Sequence, residues 1–225
     1  MNIFSAHDSR HTEPAGGIAG LVYVVDDDEA VRDSMRWLLE ANGFEVRCFE
    51  SAEAFLATDA LREPVGCLVL DVRMPGLSGL GLQDEMLRRG SSMPVIVVTG
   101  HGDVPMAVDT MKKGAVDFLQ KPFSDERLCA LVRDSLARAA DSHRLALDAR
   151  ELEERMERLT TRERQVLERI VAGRLNKQIA DDLGISIKTV EAHRANIMEK
   201  LLARSMAELM RISVRARVGV AAEDH

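Results

Sequence analysis

LVYVVDDDEAVRDSMRWLLEANG, residues 21–43, changes periodicity twice within a short span. Its first five residues are a continuous apolar run, as expected of a strand buried on both faces. Asp26, Asp27 and Asp28 follow at once. Val31, Met35, Leu38 and Leu39 then recur at helical spacing until Gly43 stops the helix. Strand, acidic turn and amphipathic helix together make the opening of a βαβ unit, which needs a parallel partner strand downstream.

The same alternation continues beyond residue 43. A short strand around Val46–Phe49 precedes Ser51, a good N-cap for a short helix. Cys67–Leu70 reads as a strand and Gly79–Arg89 as a helix. Pro94–Thr99 contains Val95, Ile96, Val97 and Val98, again a strand buried on both faces. Val104–Lys113 is expected as a helix, Phe118–Gln120 as a last short strand, and Ser124 as the cap of another helix. Five strands alternating with helices over about 120 residues predict an α/β unit, a doubly wound five-stranded parallel sheet. Sites in such sheets form at the carboxyl edge of the strands.

The remainder of the chain reads differently. Neither Gly nor Pro occurs between Phe123 and Gly173, and residues 160–217 read as all helix. Thr160 and Glu163 form a capping box ahead of Val166, Leu167, Ile170 and Val171. Asn176–Leu183 is a short helix, Gly184 makes a turn, Ser186 caps a longer helix to about Leu201, and Ser205 starts the last of four. Charge supports a division in two. Residues 1–140 hold 14 Lys and Arg against 22 Asp and Glu, whereas residues 160–217 hold 12 against 7. An acidic first part and a locally basic second part imply different partners. The expected layout is a tail at 1–20, an α/β domain at 21–140, a helical linker at 141–159, an all-α domain at 160–217 and a tail at 218–225.

Composition removes several classes of function. With 46% hydrophobic and 30% charged residues, the chain of 225 residues is expected to be globular rather than disordered. Aromatic residues are only 4%, too few for a nucleobase-stacking surface. No apolar run approaches a membrane span, and the first 20 residues lack the pattern of a signal peptide. Cys48, Cys67 and Cys129 are odd in number and widely spaced, which excludes a disulfide framework and a CxxC site. A reducing cytoplasm fits best.

The acidic turn acquires meaning from its neighbours. Asp26 and Asp27 follow the first strand, Asp71 ends the third, Thr99 ends the fourth, and Lys121 lies just beyond the fifth. A parallel sheet brings all of these to one edge. Converging carboxylates repel, and a hard cation with oxygen ligands, Mg²⁺, relieves that. Lys121 and the Thr99 hydroxyl would then hold an anion beside the metal. Carboxylate, Mg²⁺, Lys and hydroxyl together make a phosphoryl-transfer site with one Asp as nucleophile. Asp28 is left to the start of the following helix, where a carboxylate favours the dipole.

The segments VVDDDEAVRDSM, LVLDVRMPGLSGL, VVTGHGDVPMAV and GAVDFLQKPF resemble the signature segments of receiver domains of two-component response regulators, over roughly residues 20–140. That resemblance implies a flavodoxin-like fold, with Asp71 as phosphoacceptor. It implies Asp26, Asp27, Asp71 and the backbone carbonyl of Arg73 as Mg²⁺ ligands. Lys121 would contact the phosphoryl group, with Thr99 and Phe118 as switch residues. An aspartate-nucleophile phosphatase would need a second acid two residues after the nucleophile, where Arg73 stands. A dinucleotide-binding enzyme would need GxGxxG where DDDEAV stands.

LTTRERQVLERIVAGRLNKQIADDLGISIKTVEAHRANIMEKL, residues 159–201, resembles the LuxR-type helix-turn-helix output domain. Ile179, Ala180 and Leu183 would pack the first helix of the pair, and Val190, Ile197 and Leu201 the second. The opposite face of the second helix carries Lys188, Thr189, Glu191, Ala192 and Arg194. Such a helix fits the major groove, and Lys and Arg side chains hold phosphates. Asn176 and Lys177, at the start of the preceding helix, join this DNA-binding set. His193 is expected between helices. Leu175 stands where the family has a small polar residue.

The combination resembles a response regulator of the FixJ/NarL type, a transcription factor with no metabolic enzyme activity. The resemblance implies a sensor histidine kinase and double-stranded promoter DNA as partners. It also implies a homodimer on phosphorylation, with RNA polymerase a further candidate and no membrane. An intact Asp26, Asp27, Asp71, Thr99 and Lys121 set argues against a receiver that serves only for dimerisation. A small-molecule-sensing activator would need a ligand domain where the receiver pattern stands. Between the two parts, DSHRLALDARELEERMERL (141–159) consists of good helix formers. Leu145, Ala149, Leu152, Met156 and Leu159 recur at intervals of four and three. This stripe either packs on the output domain or pairs with a second copy. The helix is expected to continue unbroken from the one capped by Ser124.

Overall fold

A computed structural model describes residues 20–100 and 104–222. The tail expected at 1–20 thus lies outside the described residues except for Gly20, as do 101–103 and 223–225. The first part runs β1 (Leu21–Val25), α1 (Glu29–Ala41), β2 (Glu45–Phe49), α2 (Ala52–Leu56), a 3₁₀ turn (Ala60–Arg62), β3 (Gly66–Asp71), α3 (Gly79–Arg88), β4 (Val95–Thr99), α4 (Val104–Lys112) and β5 (Asp117–Gln120). Then follow α5 (Asp125–Glu157), α6 (Thr161–Val171), α7 (Asn176–Leu183), α8 (Ile187–Lys200) and α9 (Met206–Ala222).

The strands form a five-stranded parallel sheet in the order β2-β1-β3-β4-β5. Alternate residues feed two cores. Leu21, Tyr23, Val25, Leu68, Leu70, Val95 and Val97 pack with Phe55 of α2 and Leu82 and Met86 of α3. Val22, Val24, Cys67, Val69, Ile96 and Val98 pack with Met35 and Leu39 of α1 and Leu128, Val132 and Leu136 of α5. Helices on both faces explain why these strands are apolar runs without polar alternation. Val25 pairs with Leu70, so the ends of β1 and β3 lie side by side. The chain reverses its strand order between these two strands, where open sheets of this kind place their sites.

The helix starts rest on side chains legible in the sequence. Asp28 accepts from the N–H groups of Ala30 and Val31, Ser51 from that of Ala54, Ser78 from Gly81 and Ser124 from Arg127. Each satisfies a donor that has no partner within its helix. The described residues divide into two compact units, with the division between His143 and Arg144, inside α5.

The second unit is helical around a core of Leu159, Val166, Leu167, Ile170, Ile179, Val190, Ile197, Leu201 and Leu209. Thr160 and Glu163 form the expected capping box. Gly184 ends α7 in the left-handed conformation at φ 64°, which a side chain would strain. One expectation needs correction. The last helix does not stop at 217: α9 continues to Ala222, because residues 218–222 contain no Pro and Gly219 alone weakens a helix without ending it. Along α5, Arg150 pairs with Glu154 at 3.4 Å, and Arg155 pairs with Glu151. The apolar stripe also divides. Met156 and Leu159 join the core of the second unit, whereas Leu145 is exposed.

Candidate functional site

The carboxyl edge of β1, β3 and β4 gathers buried polar groups that the rest of the sheet excludes. Asp26, Asp71 and Thr99 are 1%, 9% and 1% exposed. Lys121 reaches back from the end of β5 and donates to Asp26 Oδ2 at 2.8 Å and Asp71 Oδ2 at 3.2 Å. Its own N–H donates to the Thr99 carbonyl at 2.9 Å, which ties the chain after β5 to the end of β4. The Lys121–Pro122 peptide bond is cis. Asp27 is exposed at the rim, and ligand oxygens of Asp26, Asp27 and Asp71 lie within 4.8 Å of one another.

Each acid is held by its backbone surroundings. Asp26 Oδ1 accepts from the Asp28 N–H at 3.0 Å, and Asp71 Oδ1 from the Arg73 N–H at 3.0 Å. Burial raises the Asp26 pKa above the ordinary carboxylate value, and nearby Asp71 adds to this. Hydrogen bonds from Lys121 and the Asp28 N–H, with the Lys121 charge, work the other way. Burial pulls the Lys121 pKa down, but the hydrogen bonds and charges of Asp26 and Asp71 outweigh it and raise it above the ordinary lysine value. The ammonium therefore stays charged between two carboxylates. Three carboxylates around one point, with oxygen donors only, suit a hard divalent cation. Phe118 lies on β5, half-buried against the first core and paired with Val97.

Three contacts around this edge escaped the sequence reading. Arg32 Nη1 donates to the Asp26 carbonyl at 2.7 Å. Glu53 Oε1 accepts from the Leu77 N–H at 2.8 Å and so holds the loop that follows Asp71. That bond keeps the Glu53 pKa below its ordinary value. Gly79 packs so closely that a Cβ there would lie 2.3 Å from the Asp71 carbonyl oxygen. The sequence carries a signal for one of the three: Gly79, with Gly76, permits a tight loop after Asp71.

In the second unit, Lys177, Lys188, Thr189, Glu191 and Ala192 are exposed. The Ser186 hydroxyl caps α8 through the Thr189 N–H at 3.0 Å and lies 2.8 Å from the Thr189 hydroxyl. Asn176 and Arg194 are half-buried and bonded to each other, with Arg194 Nη1 donating to Asn176 Oδ1 at 3.0 Å. His193 is half-buried, and its Nδ1 has no hydrogen-bond partner among the described residues. Leu175 is exposed at the cap of α7, and its N–H is satisfied by Gln178 Oε1 at 3.0 Å.

Residues 22–133 match the response regulator receiver domain, and residues 157–213 match bacterial regulatory proteins of the luxR family. A receiver sheet with its acidic edge, followed by a LuxR-type helix-turn-helix, defines a two-component response regulator, a transcription regulator controlled by phosphorylation. The transcriptional regulatory protein FixJ of Azorhizobium caulinodans is 52% identical over 200 residues, covering 89% of this chain and 94% of its own. FixJ of Bradyrhizobium diazoefficiens is 48% identical over 198 residues, covering 88% and 96%. The solved response regulator StyR superposes with a TM-score of 0.82 at 43% identity, over 87% of this chain and 98% of that one. The chain belongs to the FixJ family of response regulators. Its receiver implies a sensor kinase and its luxR-family domain implies DNA. Among the described residues no helix is long and apolar enough to cross a membrane.

Proposed function

We propose that Asp71 accepts a phosphoryl group from a phosphohistidine of the sensor histidine kinase, and that this controls dimerisation and promoter binding. The observation that carries the reading is the meeting of Asp26, Asp71 and Lys121 at one strand edge, with Lys121 Nζ within 3.2 Å of both carboxylates. An Asp71 carboxylate oxygen attacks phosphorus, the bond to the histidine nitrogen breaks, and an acyl phosphate forms. Asp26, Asp27, Asp71 and the backbone carbonyl of Arg73 are the proposed Mg²⁺ ligands. Mg²⁺ held by these groups would supply positive charge to offset that developing on the transferred group. Lys121 is already charged and poised beside Asp71, ready to pair with a phosphoryl oxygen. The Thr99 hydroxyl and Phe118 are the proposed switch residues. No further catalysis is proposed beyond phosphorylation and dephosphorylation of Asp71.

The functional division proposed is a receiver at 21–140, a helical linker at 141–159 and a DNA-binding domain at 160–217, acting in the cytoplasm. Lys177 and Lys188 would hold phosphates, and Thr189, Glu191 and Ala192 would face base edges. Asn176 and Arg194 complete this face, and RNA polymerase is a further proposed contact. Incubation with Mg²⁺ and a small phosphodonor should label the wild type and leave Asp71→Asn unlabelled. Comparable labelling of that variant would overturn the assignment.

Dimerisation is proposed through α4 and β5. Val108 and Met111 are exposed there, and with Ala107 and Lys112 they line a shallow groove. Thr99 and Phe118 lie on the strands beside it and can pass on a local change of charge. Sedimentation should show a dimer with beryllofluoride and a monomer without. An unchanged mass at micromolar protein would count against this route.

A further inference from the structure

Arg194 differs from the other cations of the proposed DNA face in where its charge is spent. Lys177 and Lys188 are exposed, whereas the Arg194 guanidinium is half-buried and turned into the protein. Nη1 donates to Asn176 Oδ1 at 3.0 Å, and Nη2 lies 3.8 Å from Met206 Sδ. These contacts join α8 to the first residue of α7 and the first residue of α9. We propose that Arg194 serves DNA recognition through Asn176, as a positioning residue, and touches neither base nor phosphate itself. The proposal rests on the DNA face assigned above and specifies how two of its members divide the work.

The chemistry of the pair fixes its orientation. A guanidinium has donors only, so the carboxamide must present its oxygen to Arg194. The Asn176 amino group then points away from Arg194 with two donors. Reading adenine with an asparagine needs both the oxygen and the amino group at the base edge. Arg194 takes one lone pair of that oxygen and holds it turned towards itself, which disfavours the bidentate pair and leaves the two N–H donors facing outward. Asn176 is left as a donor, and a phosphate oxygen, which only accepts, is the matching group. The partner of this site is thus the DNA backbone. Without the guanidinium the carboxamide is free to rotate and loses its donor-out orientation. The same bond links the two helices of the pair, which also share a core that includes Ile179, Ala180 and Val190.

A double-mutant cycle on the full-length protein tests this. The probe is a duplex selected by the wild type from a randomised pool, with beryllofluoride present. Arg194→Ala and Asn176→Ala should each weaken binding by about tenfold, the scale of one hydrogen bond to a charged group. The double variant should be no weaker than either single one, because both remove the same contact. Arg194→Lys, which keeps a donor on a flexible stem, should recover part of the loss. The slope of log affinity against log salt should change little in Arg194→Ala, because the neutral Asn176 amide displaces no counterion, whereas loss of a direct contact between the Arg194 charge and a phosphate would reduce it by about 0.9. Losses that multiply in the double variant, a slope reduced by that amount, or an Asn176→Ala protein that binds normally would each overturn the proposal. Lys188→Ala on the same duplex checks the underlying DNA face separately. Undiminished binding by that variant overturns the face assignment whether or not Arg194 and Asn176 are coupled.

Discussion

At Gly79 the site and the scaffold compete for the same space. A Cβ there would sit 2.3 Å from the Asp71 carbonyl oxygen and 2.8 Å from the Val72 Cα, both backbone atoms with nowhere to move. Two residues on, a Cβ at Gly81 would meet the Leu77 Cδ1 at 2.6 Å, the far end of a flexible side chain. Gly79→Ala should therefore cost on the order of 1–3 kcal/mol and slow Asp71 phosphorylation. Gly81→Ala should be close to neutral, since alanine favours the helix by about 1 kcal/mol and offsets the shift of Leu77. Thermal unfolding and phosphorylation rates would compare them, and equal effects would refute the close-approach argument. The sequence showed Asp26, Asp71, Thr99 and Lys121 because each follows an apolar run, and a parallel sheet must bring such ends to one edge. It could not show Arg32 on the Asp26 carbonyl or Glu53 on the Leu77 N–H. Both are bonds from a side chain to a distant backbone group, and residue type carries no trace of them.

Among the elements, α6 shows how a local signal grows a tertiary role. Thr160 and Glu163 announce the helix start through short-range chemistry alone, since each satisfies a backbone donor of the other. In the folded chain Glu163 is also buried and accepts from Lys200 Nζ at 2.7 Å, and Lys200 donates further to the Arg158 carbonyl at 3.2 Å. The end of α8 is thereby fastened to the start of α6. Burial works against the Glu163 charge, but the hydrogen bonds from Lys200 and Thr160, with the Lys200 charge, prevail and lower its pKa. A carboxyl with a depressed folded pKa adds stability at and above its unfolded pKa. That stability is lost as pH falls through the ordinary carboxylate range and below it. Glu163→Gln keeps a capping side chain but not the charge. It should destabilise the helical unit by on the order of 1 kcal/mol at neutral pH, the exposure of Lys200 limiting the effect. The difference from wild type should shrink as pH falls through that range. Urea unfolding followed by circular dichroism at several pH values would measure it, and a difference independent of pH would refute the role of the charge. The element boundaries were legible because caps and periodicity are local. Lys200 lies 37 residues from Glu163, so its partner was not.

On the scale of the whole chain, two units of opposite local charge are joined by a helix that belongs to both. Helix α5 begins in the receiver core with Leu128, Val132 and Leu136, and its 33 residues extend on the order of 50 Å. Near its far end Met156 packs on the core of the second unit, as does Leu159 just beyond it. The absence of Gly and Pro made the continuity legible in the sequence. The stripe from Leu145 to Leu159 was ambiguous there, because spacing shows that a face is apolar and not what covers it. A continuous helix can carry a change at the receiver into the DNA-binding unit, since helical hydrogen bonds resist local bending. A flexible segment at the same place would absorb the change. Inserting Gly-Gly after Ala149 adds two poor helix formers, each worth about 1 kcal/mol against alanine. Phosphorylation of Asp71 and basal DNA binding should survive, while the gain in binding on phosphorylation should disappear. An Ala-Ala insertion at the same point keeps the helix but turns everything beyond it by about 200°. If only Gly-Gly uncouples the units, continuity carries the signal; if both do, rotational phase matters as well. Phosphorylation-dependent binding that persists with Gly-Gly would reduce α5 to a tether and refute coupling through the helix.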